Sequence, residues 1–304
     1  MQKKRIGVYF DDPAFDDYPF TIDEYRKGYL DLACRINNAN ADFAIVRSQE
    51  SYLGSNEFQG GWIYTGEKFV RTEERITLDI IFNKGHFLGE TSASVLNDPA
   101  FDALCTDKWA SYQLAPEHFP LTFLVQTPEE LREALSRISS PLVVAKPLDQ
   151  SQGRGVFIGT REEVEPQIDT FPYLVQAFID GSRGIPGLVE GIHDFRMIVI
   201  RGAIFASYIR TPPGSELIAN VALGGIEIDV PIVAIPKEAR AIFDAIDAHL
   251  QHVQNRLYSI DLARDIDGVW KIIELNSQPG SPSPSSGNTF DSYQNALSDL
   301  LMTA

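Results

Sequence analysis

The sequence has little of what stabilises secreted proteins or anchors proteins in membranes. It contains only two cysteines, Cys34 and Cys105, and neither belongs to a CxxC pair, which excludes a disulfide framework and a cysteine-based zinc site. We expect both thiols to be buried, in a reducing compartment. No apolar run reaches the roughly 18 residues of a membrane-spanning helix, and the run over residues 6–10 is stopped by Asp11 and Asp12 before it forms the apolar part of a signal peptide. These absences predict a cytoplasmic protein that has no membrane partner.

Basic side chains are scarce as well. Lys and Arg number 26 against 42 Asp and Glu, for a formal net charge of −16. Affinity for nucleic acid arises largely from Lys and Arg that displace counterions, so we expect no nucleic-acid partner. With 44% hydrophobic and 22% charged residues, the composition is that of a globular protein, and the length allows one to three domains of roughly 100 to 200 residues each.

The hydrophobic pattern predicts an α/β protein built from consecutive units. Strand-like apolar runs and amphipathic helices alternate over residues 1–95, as expected of an α/β domain. Further along, Thr127, Pro128 and Glu130 predict the start of a helix, because a threonine cap, an early proline and a glutamate at the third position are typical of one. The remaining chain contains two predicted hairpins, over residues 194–210 and 258–276.

The second of these hairpins is the most informative segment. Asp267-Gly268 between two apolar runs is typical of a two-residue turn. When that register is continued outward along the strands, Asp261 lies directly opposite Glu274, and Asn276 projects from the same face.

These three side chains have the chemistry of a metal site. Two like charges opposed on a sheet repel unless a cation lies between them. Two carboxylates and one amide supply the hard oxygen donors that suit Mg²⁺, with Mn²⁺ as an alternative. A solvated hairpin face whose register is slipped by one residue is the competing interpretation, and the hairpin alone leaves it open.

A second set of residues has the composition of a phosphate site. Lys146 ends a predicted buried strand, and a loop over residues 151–155 with two glycines leads to the next strand. Glycines let backbone N–H groups approach phosphate oxygens, while a lysine supplies a compact positive charge. The loop fits neither the Walker A pattern nor the GxGxxG dinucleotide fingerprint.

The order of these features resembles that of the ATP-grasp enzymes, in particular the glutathione synthetase-like carboxylate–amine ligases. The resemblance covers about residues 95–282, with a weaker match before them. It implies an α/β (α+β) ATP-grasp fold, in which an N-terminal α/β domain precedes two α+β subdomains that clasp ATP between them. The three parts would be residues 1–95, 96–182 and 183–304.

The resemblance also implies a nucleotide site. Asp107-Lys108-Trp109 is similar to the segment that carries the family's first nucleotide-binding lysine, Lys108, and Ala145-Lys146-Pro147 to the segment of the second. The flexible loop over the phosphates corresponds to Ser151, Gln152, Gly153, Arg154, Gly155 and Val156. The strand whose backbone reads adenine corresponds to a segment that contains Gln176, Ala177, Phe178 and Ile179.

Two arginines complete the resemblance. His193-Asp-Phe-Arg196 resembles a motif whose arginine meets phosphates, and Arg210 with Asn220 resembles the branch's substrate and phosphate contacts. A two-residue turn at Arg201-Gly202 would place Arg196 and Arg210 on opposite faces of their hairpin, whereas a three-residue turn would place both on one face. The sequence leaves this choice open.

The metal-binding ending of the family resembles Glu274-Leu-Asn276, with Asp261 as the third ligand. The implied activity is an ATP-dependent ligation of a carboxylate to an amine through an acyl phosphate, with ATP and two Mg²⁺ ions as cofactors and Arg196 and Arg210 as catalytic residues. The implied substrates are an amino acid or a short peptide, and a homodimer is compatible with the family. Alternatives are a phosphotransferase, a carboxylate–thiol ligase, or a regulatory protein that binds ATP without turnover.

Overall fold

The computed structural model describes residues 3–149, 154–214, 216–219 and 225–304, and within these ranges the strands form three sheets. Helices pack against each sheet, which confirms the expected mixed class, α/β (α+β). No helix in the described ranges is both long enough and apolar enough to cross a membrane.

The first sheet is parallel at its centre. The elements of this part of the chain are β1 (Arg5–Phe10), α1 (Asp23–Asn38), β2 (Asp42–Arg47), β3 (Tyr52–Gly54), β4 (Glu57–Tyr64), β5 (Phe69–Thr77), β6 (Ile80–Asn83) and β7 (Ser94–Leu96). The strand order is β3-β4-β2-β1-β6-β7, with β5 paired to β4. Because β1 and β6 run parallel, their carboxyl ends meet at one edge of the sheet, the edge at which open α/β sheets bind ligands.

The second sheet is antiparallel and carries one of the predicted lysines. Its part of the chain comprises α2 (Pro99–Thr106), α3 (Lys108–Leu114), β8 (Thr122–Val125), α4 (Pro128–Arg137), β9 (Val143–Pro147), β10 (Phe157–Gly159), α5 (Arg161–Val164) and β11 (Tyr173–Ala177). The order is β10-β9-β11-β8. The predicted start of α4 is confirmed, since Glu130 N donates to Thr127 Oγ1 over 3.2 Å and Gln126 N to Glu130 Oε2 over 2.7 Å.

The third sheet is antiparallel and contains both predicted hairpins. Its elements are β12 (Asp194–Ile200), β13 (Ala203–Thr211), β14 (Ile226–Asp229), α6 (Lys237–Leu250), β15 (Leu257–Arg264), β16 (Trp270–Asn276) and α7 (Asn288–Thr303). The strand order is β14-β13-β12-β15-β16. One face of this sheet packs on α6, and part of the opposite face shares a core with α1, α7 and the first sheet.

Alternation along the strands separates apolar from functional faces. Val143 and Ala145 of β9 join the core under α4, so Lys146, one position on, projects from the opposite face of the second sheet. That face is turned toward the third sheet, because Lys146 Nζ donates to the carbonyl of Ile273 in β16 over 3.0 Å. The cleft between these two sheets is therefore where charged side chains meet.

The expectation that both cysteines are buried is half wrong. Cys105 is buried, whereas Cys34 is exposed. Cys34 follows the buried Leu32 and Ala33 on α1 but lies on the solvent side of the helix, since an α-helix turns its faces every 3.6 residues.

Candidate active site

A row of charged residues crosses the third sheet on one face. In the strand registers, Arg196 lies opposite Asp261 on one side, and Asp261 lies opposite Glu274 on the other. Directly opposed residues point to the same side of a sheet. The register predicted for Asp261 and Glu274 is therefore confirmed, and Asn276 pairs with Ser259 two positions along, on the same face.

The predicted turn of this hairpin is wrong, although the register is right. The loop has three residues, 266–268, closed by Asp265 N donating to Val269 O over 2.9 Å. Asp265 Oδ1 also accepts from Asp267 N and Val269 N over 2.9 and 2.8 Å, which favours the longer loop. Gly268 takes the positive φ of 86° that this loop needs.

A bulge restores the predicted pairing. The ladder shifts between Asp261 and Leu262, which pairs with Ile272, so Ile273 is an extra residue of β16. The shift moves Glu274 into place opposite Asp261. The carbonyl of the bulged Ile273 is the group that accepts the hydrogen bond from Lys146 Nζ.

A second bulge determines that Arg196 and Arg210 lie on the same face of the third sheet. The turn at Arg201-Gly202 has two residues, with φ values of 48° and 79°, and by itself it would put the arginines on opposite faces. The register shifts between Ile198 and Val199, and as a result Arg196 and Arg210 lie on the same face.

Both arginines bind Asp261. Arg196 Nε lies 2.6 Å from Asp261 Oδ1, and its Nη2 contacts Oδ2. Arg210 Nη2 lies 2.7 Å from Asp261 Oδ2 and also contacts Asp194. The side chain of Asp261 is 0% exposed. Burial alone would raise its pKa, but the two guanidinium groups outweigh burial and lower the pKa of Asp261.

This arrangement corrects one premise of the sequence argument. The positive charge that opposed Asp261 and Glu274 require is supplied, next to Asp261, by Arg196 and Arg210 from the neighbouring strands. Asp194, which sequence reasoning did not assign, is the second anion of the cluster. Burial raises the pKa of Asp194 to about 7 despite the contact with Arg210. The sequence did contain a sign of this, because residues two positions apart on a strand point to the same face, and Asp194 lies two positions before Arg196.

Glu274 and Asn276 are placed differently from Asp261. Glu274 is half-buried, and within the described ranges it has no ion-pair partner inside 4.0 Å. Asn276 Oδ1 accepts from Gln278 N over 2.8 Å. No group of three or more His, Cys, Asp or Glu in the described ranges has the arrangement of a metal site, so any ion would depend on the amide of Asn276 as well as on carboxylates.

The two predicted lysines meet in the cleft between the second and third sheets. This cleft is lined by Lys108, Lys146, Gln176 and Glu274, among others. Burial lowers the pKa of Lys146 to about 8 and also lowers the pKa of Lys108, with Glu274 acting in the opposite direction on both. Each ammonium group is therefore more costly to charge here than in water, and an anion in the cleft would relieve that cost.

The strand predicted to contact adenine lies at the same cleft. Ala177 N donates to Leu121 O over 2.9 Å and Phe178 N to Leu142 O over 3.2 Å, so these two backbone donors are occupied by the sheet. Gln176 is buried, and its Oε1 has no hydrogen-bond partner in the described part of the chain. Ile179 follows the strand and is half-buried.

The predicted phosphate loop is described only in part. Ser151, Gln152 and Gly153 lie outside the described residues, as does Asn220. Arg154, Gly155 and Val156 lead into β10, and Gly155 has a φ of 68°. A Cβ there would lie 2.9 Å from Pro147 Cγ, which restricts the position to glycine.

Sequence reasoning also missed Lys84. This lysine follows β6, and its Nζ donates to the carbonyl of Pro279 over 2.8 Å, just beyond Asn276. Burial lowers the pKa of Lys84 to about 7. The sequence pattern that drew attention to Lys146, a lysine at the end of a buried strand, is also present at Lys84.

Two antiparallel sheets that face each other across a cleft with two lysines, beside a row of carboxylates, define an ATP-grasp protein. A family model described as a RimK-like ATP-grasp domain matches residues 105–291, more than half of the chain. The chain therefore belongs to the RimK-like ATP-grasp family.

Comparisons with individual proteins agree on the fold. A probable alpha-L-glutamate ligase of Legionella pneumophila is 30% identical over 194 residues, which cover 61% of this chain and 59% of the relative, so the chain spans about six-tenths of the length of that relative. The crystal structure of D-alanyl-alanine synthetase A from Vibrio cholerae covers 100% of this chain and 98% of its own, at 13% identity and a TM-score of 0.67. That of the VanG D-Ala:D-Ser ligase from Enterococcus faecalis covers 99% of each, at 15% identity and a TM-score of 0.65.

Proposed function

We propose that the protein is an ATP-dependent carboxylate–amine ligase that forms an amide through an acyl phosphate and releases ADP and phosphate. The observation that carries the proposal is the hydrogen bond from Lys146 to Ile273. It brings a buried ammonium group of one sheet beside the row of Glu274, Asp261 and Arg196 in the other, where a polyphosphate and a carboxylate would meet. The division at residues 95 and 182 is part of this proposal.

The chemistry explains why such a site needs so many cations. A carboxylate is a poor acylating agent, because its leaving group would be oxide. Transfer of the γ-phosphoryl group of ATP to a carboxylate oxygen breaks the bond to ADP and supplies a better leaving group. The amine nitrogen then attacks the acyl carbon, the carbon–oxygen bond to phosphate breaks, and the amine loses a proton. Both steps build negative charge on phosphate oxygens, which fixed positive groups stabilise.

The residues divide into binding and catalytic groups. We assign the ATP phosphates to Lys108, Lys146, Asn220 and the loop over residues 151–156, and the adenine to the segment over residues 176–179. Arg196 and Arg210 stabilise the transferring phosphoryl group. Asp261 orients both guanidinium groups, since each donates to its carboxylate.

The oxygen donors of Glu274, Asn276 and Asp261 fit a divalent ion, although Asp261 is less accessible than the other two. Glu274 faces the two lysines of the cleft and Asn276 lies on the same face, so these two are the accessible ligands, while Asp261 must share its carboxylate with the arginines. A Mg²⁺ ion held by these residues would neutralise negative charge on the phosphates of ATP. Two ions, or Mn²⁺ in their place, suit the same oxygen donors.

We propose an amino acid or a short peptide as substrate. The relatives named alpha-L-glutamate ligases and the neighbours named for D-alanyl-alanine and D-Ala:D-Ser ligation support this class. A cytoplasmic location follows from the need for ATP.

The test is product analysis. The purified protein, Mg²⁺ and ATP are incubated with mixed amino acids and dipeptides, and mass spectrometry is used to search for a product lighter by one water than its two parents. ADP and phosphate should appear with it. AMP with pyrophosphate would mean an adenylating enzyme, a phosphorylated product a phosphotransferase, and bound ATP without any product a regulatory protein.

A further inference from the structure

A histidine and a buried aspartate form a pair to which the proposed function gives no role so far. His86 follows β6 at the carboxyl edge of the first sheet, and its Nδ1 lies 3.2 Å from Oδ2 of Asp102 in α2. The side chain of Asp102 is 9% exposed, whereas that of His86 is 58% exposed. The pair therefore has one buried end and one end that a substrate can reach.

The buried end of the pair is held in place by its second oxygen. Asp102 Oδ1 accepts from Ser277 Oγ over 2.5 Å and from Gln278 Nε2 over 3.1 Å. Burial alone would raise the pKa of Asp102, but the bonds from His86, Ser277 and Gln278 outweigh burial and lower that pKa. Asp102 is therefore ionised at neutral pH and fixed in one orientation.

An ionised aspartate determines which nitrogen of the histidine carries hydrogen. Because the carboxylate of Asp102 can only accept, Nδ1 of neutral His86 is the donor and the lone pair lies on Nε2. Within the described ranges, no hydrogen bond occupies Nε2 of His86. A carboxylate that holds an imidazole in this tautomer prepares its Nε2 to accept a proton.

The pair lies where the three sheets meet. Gln278, which follows β16 of the third sheet, donates from Nε2 to Gly85 O over 2.7 Å and from its backbone N to Asn276 Oδ1 over 2.8 Å. Asp149 follows β9 of the second sheet, and its charge acts on His86. A single residue, Gln278, thus links the loop of His86 to the end of the proposed metal site.

The proposed reaction needs a proton acceptor. An amine is largely protonated at neutral pH, and its nitrogen can attack only after it has lost a proton. Arg196 and Arg210 cannot accept that proton, while Lys146 is assigned to phosphate and Glu274 to the metal ion. The residues assigned above therefore leave the acceptor to be found.

We propose that His86 is the general base of amide formation and that Asp102 is its positioning residue. This inference rests on the proposed ligase function. Nε2 of His86 takes one proton from the ammonium group of the substrate, which becomes an amine with a free lone pair. The amine attacks the acyl carbon, the bond from that carbon to the phosphate oxygen breaks, and the departing phosphate takes the second proton from the nitrogen.

The charges around His86 suit a base. The hydrogen bond to Asp102 raises the pKa of His86 against the opposite effect of burial, and the charges of Asp102, Asp11 and Asp149 raise it further. Asp11 lies in the loop after β1, and its Oδ2 accepts from His86 N over 2.9 Å. Carboxylates from three separate elements therefore stabilise the imidazolium that forms when the proton arrives.

The experiment separates formation of the acyl phosphate from attack by the amine. Wild type and His86→Gln are incubated with Mg²⁺, ATP and mixed amino acids and dipeptides, with and without hydroxylamine, and mass spectrometry measures amides and hydroxamates. Hydroxylamine is a weak base that is unprotonated at neutral pH, so it captures an acyl phosphate without a general base. In His86→Gln we expect hydroxamate at the wild-type rate and amide about 100-fold slower or more, as for loss of a general base.

Two further variants complete the test. Asp102→Asn keeps an acceptor for Ser277 and Gln278 but can present an N–H to Nδ1 of His86, which moves the imidazole hydrogen to Nε2. It should lower the ratio of amide to hydroxamate, as His86→Gln does. His252→Gln, at an exposed histidine beyond α6, is the matched control and should change neither product.

Each result has a distinct meaning. Equal losses of amide and hydroxamate in His86→Gln would show that His86 has only a structural role, and an unchanged amide rate would also overturn the proposal. An unchanged product ratio in Asp102→Asn would remove the role of Asp102. The absence of both products from the wild type would refute the ligase function and, with it, the inference.

Discussion

Replacing Lys146 by methionine should make the protein more stable and less able to bind ATP. Lys146 is 7% exposed, and methionine keeps the length of the side chain while removing its charge. Burial lowers the pKa of Lys146 from 10.5 to about 8, which means that the folded protein disfavours the charged form. The cleft therefore holds a cation at a cost that a bound anion would recover.

The magnitude follows from the pKa shift. At about 1.4 kcal/mol per pKa unit, charging Lys146 in the fold costs about 3 kcal/mol, of which the hydrogen bond to Ile273 offsets about 1 kcal/mol. Lys146→Met should thus stabilise the protein by about 2 kcal/mol, or raise its melting temperature by about 3 °C for a chain of this length. The gain is present below pH 8 and disappears as the pH rises toward 10.5, where the unfolded lysine also becomes neutral.

Nucleotide binding should change in the opposite direction. Loss of a bond between a charged group and phosphate costs about 1.5 to 3 kcal/mol, so the Kd for Mg·ATP should rise about 10- to 150-fold. Calorimetric titration and thermal unfolding measure the two effects, with the exposed Lys68→Met as a control that changes neither. A lower melting temperature together with unchanged ATP affinity would refute the reasoning.

Three further outcomes are expected from the same site. The affinity of the wild type for Mg·ATP should fall as the pH rises through about 8, because neutral Lys146 no longer attracts phosphate. Lys146→Arg should show no such fall. The same dependence of affinity on pH in both proteins would contradict this prediction. Arg196→Met should destabilise the fold by about 3 to 5 kcal/mol, because it leaves the buried carboxylate of Asp261 without its main partner. The melting temperature should fall by about 5 to 8 °C. Arg75→Met, at an exposed arginine, is the control and should lower it by less than about 1 °C. Glu274→Gln should abolish ATP turnover while the protein remains folded, measured against Glu238→Gln, an exposed glutamate on α6; turnover near the wild-type rate would remove Glu274 from the metal site.

The pairing of Asp261 with Glu274 was predictable, but for a reason that was only partly right. The hydrophobic alternation of the two strands predicts which residues share a face, and the turn sequence predicts the offset. The true loop is one residue longer, and the bulge at Ile273 compensates for it. A bulge depends on what the strand packs against, here a lysine from another sheet, and this contact has no signature within the hairpin sequence.

Contacts between distant elements are also the reason why the shared face of Arg196 and Arg210 and the position of Lys84 were not predicted from the sequence. The sequence left open whether the turn at Arg201-Gly202 has two or three residues, and the register shift after Ile198 had no sign in the sequence. Lys84 follows β6 of the first sheet, whereas Pro279 follows β16 of the third, and 195 residues separate the two along the chain. Local sequence patterns predict faces and caps well. They do not predict which side chain of a distant element neutralises a buried charge.

The most direct measurement of the proposed chemistry uses isotopic oxygen. With both carboxylate oxygens of the amino-acid substrate labelled with ¹⁸O, formation of an acyl phosphate should deliver one labelled oxygen to the inorganic phosphate that is released, alongside ADP. Amide product accompanied by unlabelled phosphate, or label in AMP, would contradict the account.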